Sequence, residues 1–255
     1  MELNNKKILI TGGAGFIGSN LALTLQIKYP DNKYFVVDNF SSGNFDNLMG
    51  FKGKIITEDI FETDLAKYFD SLDVIFHQAA VTDSSSNKII ENNIKGFKNV
   101  LEFAIKSNAK LIYASSASVY GRSQQPWEVG KNEVPTDDYG ESKLAIDNIA
   151  REHFDRICII GLRYFPVSKR YNYLNICIKD AIKANLLASQ FPNSRIFNVG
   201  PGKYNIKKQI KKTWWDKLLS GKTVQAGFDL YDGYYWKLRK IIKKRLLQTS
   251  DIFFK

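Results

Sequence analysis

The sequence predicts an α/β protein whose core is a doubly wound parallel sheet with helices on both faces. Three observations predict it. From Lys7 to Tyr164, short apolar runs alternate with stretches of helical spacing, the order that covers a parallel sheet on both sides. The first run, Ile8-Leu9-Ile10, opens into TGGAGFIG, with Gly12, Gly15 and Gly18 three residues apart. The second run ends in an acid, Asp38, about 20 residues past those glycines, the spacing of a dinucleotide fingerprint.

Taken in order, Lys6 to Asn20 reads as a strand, a tight turn and a helix. Gly12 permits the turn, Gly15 lets backbone approach a pyrophosphate with no Cβ in the way, and Gly18 lets the helix pack close. Phe16 and Ile17 then sit in a helical first turn that faces a phosphate group. An ordinary Gly-rich turn without a ligand has the same pattern, so the loop decides nothing alone. Lys33 to Asp38 is the second strand, and the Asp38 carboxylate, followed by Asn39, is placed to accept from both ribose hydroxyls. No Lys or Arg stands between Asp38 and Lys52 to receive a 2′-phosphate, which favours NAD, with NADP the alternative. Lys54 to Thr57 is the third strand. Asp59, beside Ile60, either hydrogen-bonds an adenine amino group or caps a helix starting near Phe61. Leu72 to His77 is the fourth strand, and Gln78-Ala79-Ala80 lie beyond its C-terminal end, where open α/β sheets bind ligands. Asn87 to Ile105, which contains Asn93, is helical; Ala109 to Ala114 is the fifth strand, Asp137 to Phe154 a helix and Arg156 to Tyr164 the sixth strand.

Bulk properties narrow the class. No apolar run approaches the ~20 residues of a membrane helix, and the N-terminus has no signal-peptide pattern, so a cytoplasmic location is expected. Two cysteines, Cys158 and Cys177, have no metal-ligand spacing and are too few for a disulfide framework. With only His77 and His153 as histidines, no metal site is expected. The net charge of +11 is concentrated in the tail: residues 203–255 hold 14 Lys/Arg against 4 Asp/Glu, a net of +10. Trp236, Leu238, Ile241, Ile242, Leu246 and Leu247 there are spaced as the apolar stripe that a basic amphipathic helix would present. Docking on the protein's own core is its first reading; a membrane surface or partner comes second, and nucleic acid is weaker still.

Two elements turn a cofactor-binding sheet into an enzyme. In Tyr139-Gly140-Glu141-Ser142-Lys143 the tyrosine and lysine share one helix face, so an ammonium is expected to lower the phenol pKa and suit it to acid/base work. In ASSASVY, from Ala114 to Tyr120, a serine hydroxyl at the strand end can hold an oxygen that becomes a carbonyl.

At this point the sequence resembles a family. TGGAGFIG, Asp38, HQAA, Asn92-Asn93, SSASVYG, YGESK and LRYF are similar to the extended short-chain dehydrogenase/reductases, the nucleotide-sugar epimerases and dehydratases, from Lys7 to Phe165. ILITGGAGFIGSNLA, GFKGKII, FHQAAV, IYASSASVYG, GKNEVP and GLRYF are most similar to the ADP-glycero-manno-heptose 6-epimerase branch; the loop DNFSSGNFDNL is shared with the UDP-glucose 4-epimerase branch. The resemblance implies a Rossmann-type fold, a nucleotide-sugar substrate, self-association, and epimerisation by transient oxidation and re-reduction with bound NAD(P). It implies Tyr139 as acid/base, Lys143 on the nicotinamide ribose, and Ser116 with Ser118 on the substrate. Asn93 would help orient the nicotinamide half, with Ala79 and Ala80 lining the cofactor.

The departures begin after Phe165, where Pro166-Val167-Ser168-Lys169-Arg170 replaces an asparagine-containing stretch and several dozen pocket residues. Ile178-Lys179-Asp180-Ala181 resembles a motif that normally follows that pocket, and Ile196 to Gly202 the next strand and turn. An internal deletion accounts for this. Lys169 does not align with the second catalytic lysine of heptose epimerases and inherits no role. The expected organisation is therefore an NAD-binding, catalytic domain at 1–170, a reduced C-terminal substrate-binding region at 171–202, and a basic aromatic tail at 203–255. Two rivals remain: a cofactor-binding member without turnover that acts as a binding module, and a dehydratase, disfavoured because Ala117 and Ser118 offer no acid.

Overall fold

In a computed structural model of the chain, residues 3–82, 88–124, 127–169 and 175–200 are described. The start of the second helix at Asn87 and the whole tail reading fall outside them. All described residues belong to one unit, 1–206.

Strand formation follows burial. β1 (Lys7–Thr11), β2 (Lys33–Asp38), β3 (Lys54–Thr57), β4 (Val74–His77), β5 (Lys110–Ser116) and β6 (Ile159–Tyr164) sit where the apolar runs predict them. Every residue of β4 and β6 is buried, which is why these strands read as continuous apolar runs rather than alternating ones. β7 (Val167–Ser168) and β8 (Ile176–Cys177) form a separate parallel pair, and β9 (Arg195–Val199) joins the main sheet. The main sheet has the order β3-β2-β1-β4-β5-β6-β9, and all its pairs are parallel. This is the doubly wound, Rossmann-type fold the sequence predicts.

Two helix pairs cover it: α1 (Phe16–Lys28) with α4 (Ile178–Gln190), and α2 (Ile89–Ser107) with α3 (Asp138–Arg151). Leu9, Ile75, Leu111 and Ile159 of the sheet pack with Phe97 and Val100 of α2 and Ile146 of α3. Their strand neighbours Ile8, Ile10, Val74, Phe76 and Ile112 point to the opposite face and are equally sealed. Residues 175–200 thus contribute α4 and β9 to the same layered sheet. Among the described residues, no helix is long and apolar enough to cross a membrane.

The chain moves outward from β1 through β2 to β3, then crosses back to lay β4 on the other side of β1. The switch therefore lies between β1 and β4, whose ends pair Thr11 with His77. A crevice opens outside strand ends at such a point.

Some element limits differ from expectation, each for a local reason. No helix starts near Phe61. Asp59 Oδ1 accepts from Phe61 N, and Asp64 Oδ1 accepts from Ala66 N to start a separate single turn at Leu65–Lys67. Side-chain oxygens here compete with the helical ladder and leave two short turns. α2 runs on to Ser107 and ends at Asn108, whose left-handed φ of 51° lets its N–H reach Ala104 O and Ile105 O. α3 stops at Arg151, followed by turns in which His153 N donates to Ala150 O and Arg156 N to His153 O, so β6 starts at Ile159.

Candidate active site

A cleft of about 680 Å³ follows the strand ends, and every residue that the sequence singled out for the site lines it. Its first part is the glycine turn. Gly12 has φ +65°, and a Cβ there would lie 2.6 Å from Ala79 N, so the turn also permits β1 and β4 to end side by side. A Cβ on Gly18 would lie 2.1 Å from Gly12 O; α1 is packed on the turn itself, more tightly than on the strand. Gly15 is the N-cap of α1, no side chain caps that helix, and its first turn holds no acid. Its first-turn N–H groups and dipole thus open onto the cleft, where they would receive an anion.

Asp38, 8% exposed, accepts from Ala14 N at 2.8 Å through Oδ2 and from Phe40 N at 2.8 Å through Oδ1. The second bond holds Phe40 in a left-handed conformation, φ 57°, that a bulky residue rarely takes. A carboxylate has about four lone-pair sites, so two remain for ribose hydroxyls. Asn39 Nδ2 donates to Asp59 Oδ2 at 2.7 Å, bridging the ends of β2 and β3. The Ser/Gly/Asn loop is laced to Ala14, whose carbonyl accepts from Asn44 N and Asn47 Nδ2. Sequence reasoning passed over Asn44 and Asn47; two asparagines in a loop beside a ribose acid were the available signal. Lys143 is the only cation among the described lining residues, against Asp38, Glu58 and Asp59, so nothing described there greets a 2′-phosphate.

The second part is the catalytic cluster. Ser116 ends β5 and opens a short turn, its Oγ accepting from Ser118 N at 3.1 Å and lying 3.1 Å from Ser118 Oγ. Asp137 caps α3 through Gly140 N, 2.7 Å. A Cβ on Gly140 would sit 2.7 Å from Ser118 O, so the glycine beside Tyr139 is what lets α3 approach the serine turn. Tyr139 and Ser116 line the same end of the cleft, and Lys143 Nζ lies 5.5 Å from the Tyr139 ring centroid while donating to Ala114 O at 2.9 Å.

The expected lowering of the tyrosine pKa is not found. Burial pushes Tyr139 up to about 12, outweighing the Ser116 side chain that lowers it, and Asp137 adds to the rise. The ammonium stands over the ring and is spent on a backbone carbonyl rather than on the phenol oxygen. Burial also drives Lys143 down to about 8, with Asp147 pulling it back up. Beneath them His77 is held at about 3, by burial first and the Lys143 charge second, and is neutral. Thr11 Oγ1 accepts from Ala79 N and lies 2.7 Å from His77 Nδ1, in hydrogen-bond contact with the neutral ring.

Two predicted residues are engaged elsewhere. Asn93 accepts from Val81 N and donates to Val81 O and Ser142 Oγ, so its amide braces the loop after β4 against α3. Gln78 bonds Asn185 of α4 and accepts from Tyr164 OH, leaving its backbone to face the cleft. Sequence reasoning took Pro166 as the replacement of an asparagine expected to touch substrate but did not assign Tyr164, Phe165 and Val167 to the lining; their place at the end of β6 was the signal.

The residues fit a dinucleotide: a cradle that a Cβ would fill, an uncapped helix N-terminus, and an acid with spare acceptor capacity. The family model described as the NAD dependent epimerase/dehydratase family matches residues 8–176. The chain belongs to this family. An ADP-L-glycero-D-manno-heptose-6-epimerase of Brachyspira hyodysenteriae is 30% identical over 288 residues, covering 94% of this chain and 90% of the relative. That aligned stretch is longer than the 255-residue chain, so the relative carries residues within it that have no counterpart here. A heptose-6-epimerase of the same description from Cupriavidus pinatubonensis is 34% identical over 168 residues, 63% of this chain and half of the relative's length. Among solved structures, the Helicobacter pylori ADP-L-glycero-D-manno-heptose-6-epimerase is similar with a TM-score of 0.71 and 37% identity, covering 77% of this chain and 76% of that one. A UDP-N-acetylglucosamine 4-epimerase from Methanobrevibacter ruminantium, in complex with UDP-N-acetylmuramic acid, also has a TM-score of 0.71, at 26% identity, with 79% and 78% covered. The NAD dependence of the family and the residues of the cleft agree.

Proposed function

We propose that the chain is a nucleotide-sugar epimerase of the ADP-heptose 6-epimerase kind, and one observation carries this. Ser116, Tyr139 and Lys143 converge at the end of a dinucleotide-shaped cleft. NAD, when bound, supplies the acceptor and donor of hydride. Around it Phe16, Ile17 and Gly18 at the start of α1 would hold the pyrophosphate on backbone N–H groups, with Gly12 and Gly15, whose own N–H groups bond Val37 O and Gly12 O, leaving it room. Asp38 with Asn39 would hold the ribose. Asp59 and Ile60 would flank the adenine; Gln78, Ala79 and Ala80 would line the centre, with Asn93 holding Val81 in place.

At the reacting end, Ser116, supported by Ser118, donates to the sugar oxygen, and Tyr139 moves the proton of that hydroxyl. With its pKa near 12, Tyr139 carries its proton at neutral pH. It rests as an acid; to take the substrate proton it must first release its own to solvent through the cleft, which positive charge beside it favours. Lys143 is the fixed part of that charge. The product is the substrate inverted at one carbon with the cofactor unchanged. The similarity to heptose epimerases favours ADP-heptose as the substrate; the likeness to 4-epimerases keeps a UDP-hexose as the alternative. A cytoplasmic, self-associating enzyme is part of the same proposal.

A second reading is favoured by the missing aligned residues: a member that binds NAD without turnover. One assay separates the two. Purified protein should interconvert the two heptose epimers, and Tyr139→Phe should abolish this with NAD still bound. Wild type that binds NAD yet epimerises neither ADP-heptose nor UDP-hexose sinks the enzyme reading.

A further inference from the structure

On α3, Tyr139, Lys143 and Asp147 recur at every fourth residue and lie along one stripe. Lys143 and Asp147 are 1% and 0% exposed. Asp147 is gripped from two strands. Its Oδ1 accepts from Tyr113 OH of β5 at 2.8 Å, and its Oδ2 accepts from Arg163 Nε of β6 at 2.7 Å, with Arg163 Nη2 2.6 Å away. Arg163, also 0% exposed, pairs at 2.6 Å with Glu133, which takes Arg151 at 2.9 Å. Charges therefore alternate from the cleft outward: Lys143, Asp147, Arg163, Glu133, Arg151. Without Asp147, Lys143 and Arg163 would be two buried cations with no acid between them.

We propose that Asp147 is a positioning residue that keeps Lys143 charged beneath Tyr139, and that Tyr113 and Arg163 are there to keep Asp147 ionised. Among the described residues, the groups facing Lys143 include no other acid; burial raises the Asp147 pKa, and Arg163 and Tyr113 pull it back down. His77 of β4 is neutral, Tyr113 of β5 is pushed well above 10 by burial and by Asp147, and Tyr139 is protonated. The carbonyl of Ala114 is a dipole without net charge. Isolated ammonium groups in dry surroundings lose their proton; a hydrogen-bonded carboxylate in the same surroundings holds it in place. Nor does the geometry serve stability alone, since apolar residues of matching volume commonly do that as well as a buried pair.

The proposal rests on Lys143 serving Tyr139, but its test needs no turnover. The full chain, labelled with ¹⁵N at lysine Nζ, is titrated by NMR, with Lys143 assigned by its loss in Lys143→Met. In wild type Lys143 should titrate near 8. In Asp147→Asn its proton affinity should fall at least tenfold, and the alkaline limb of any epimerase pH profile should fall with it. NAD affinity at pH 6.5 should stay within twofold. An unchanged Lys143 titration in folded Asp147→Asn overturns the proposal. If that variant does not fold, Asp147→Glu, which keeps the charge, should retain the wild-type midpoint; a tenfold fall there overturns it. A wild-type midpoint above 10, or one that moves with salt between 0.05 and 1 M, overturns it too, because surface charges would then set Lys143. Absence of epimerase activity in wild type rejects the proposed function and leaves the titration to decide this point.

Discussion

Acidification should weaken the fold through His77, and the size of the effect follows from the structure. The imidazole is buried at the end of β4, bonded to Thr11 Oγ1 at 2.7 Å, with Phe97 6.0 Å away between ring centroids. Burial, then the Lys143 charge, lower its pKa from 6.5 to about 3. Between those values the unfolded chain binds a proton that the folded chain refuses. Stability therefore falls as pH drops through 6.5 and stops falling below 3. Between pH 7 and pH 5 this one group should cost about 2 kcal/mol, from 1.36 kcal/mol per pH unit over the part of the window crossed. The assay is urea unfolding at the two pH values for wild type and His77→Gln, whose amide can still hydrogen-bond Thr11 but does not titrate. His77→Gln should start lower at pH 7 yet lose about 2 kcal/mol less on the way to pH 5. Carboxylates titrating in the same window are common to both proteins and cancel. Equal losses in the two proteins would refute the reasoning, because His77 would then be charged, or absent from the linkage, in the folded state.

Further outcomes follow from the cleft. Gly18→Ala, whose new Cβ would sit 2.1 Å from Gly12 O, should cost about 1–3 kcal/mol by urea unfolding and weaken NAD binding by calorimetry. Asp38→Asn should weaken NAD roughly tenfold, one charge-assisted bond, and narrow the preference of NAD over NADP that wild type should show. Arg163→Met should cost about 3–5 kcal/mol by urea unfolding, because it strands the Asp147 carboxylate in a dry core.

The sheet was legible because its inner strands are buried on both faces, as β4 and β6 are throughout. Even the edge strand Lys54–Thr57, where only Ile56 is buried, and Lys33–Asp38 match the expected limits residue for residue. The helices were less so at their ends, where Asp59, Asp64 and Asn108 decide the matter with side-chain bonds or a left-handed φ. At the site, glycine spacing and YxxxK placed the residues in one cleft, since both encode backbone geometry. Protonation was the part the sequence misjudged. The i, i+4 spacing brings Lys143 under Tyr139, but whether the phenol is acidified depends on how deeply both are buried. It also depends on which acceptor the ammonium chooses. Those are three-dimensional facts: Ala114 O on the next strand, and Asp147 held by β5 and β6.

A substrate half reduced after β6, as the sequence reading expects, is compatible with an intact nucleotide half. Phe165 N donates to Val199 O, continuing the parallel pairing of β6 with β9 past Tyr164, and Ile176 N donates to Pro166 O in the β7–β8 pair. α4 follows β8 at once and packs against α1, which carries the glycine turn. Shortening the chain between Phe165 and α4 would therefore leave the main sheet whole and the cradle supported. The consequence falls on the sugar. Pro166 brings neither an N–H nor a side-chain donor to the cleft, and with Phe165 and Val167 it makes that wall apolar. In the proposed reaction the hydroxyl groups at the reacting carbon must then be read by Ser116, Ser118 and Tyr139. Orientation at that carbon and discrimination among sugars become separable properties. In the proposed function, a shortened epimerase should keep its chemistry more faithfully than its choice of substrate. Assays with ADP-heptose and UDP-hexose side by side should show a narrower ratio of kcat/KM than the Brachyspira hyodysenteriae relative, which carries additional residues within the aligned stretch.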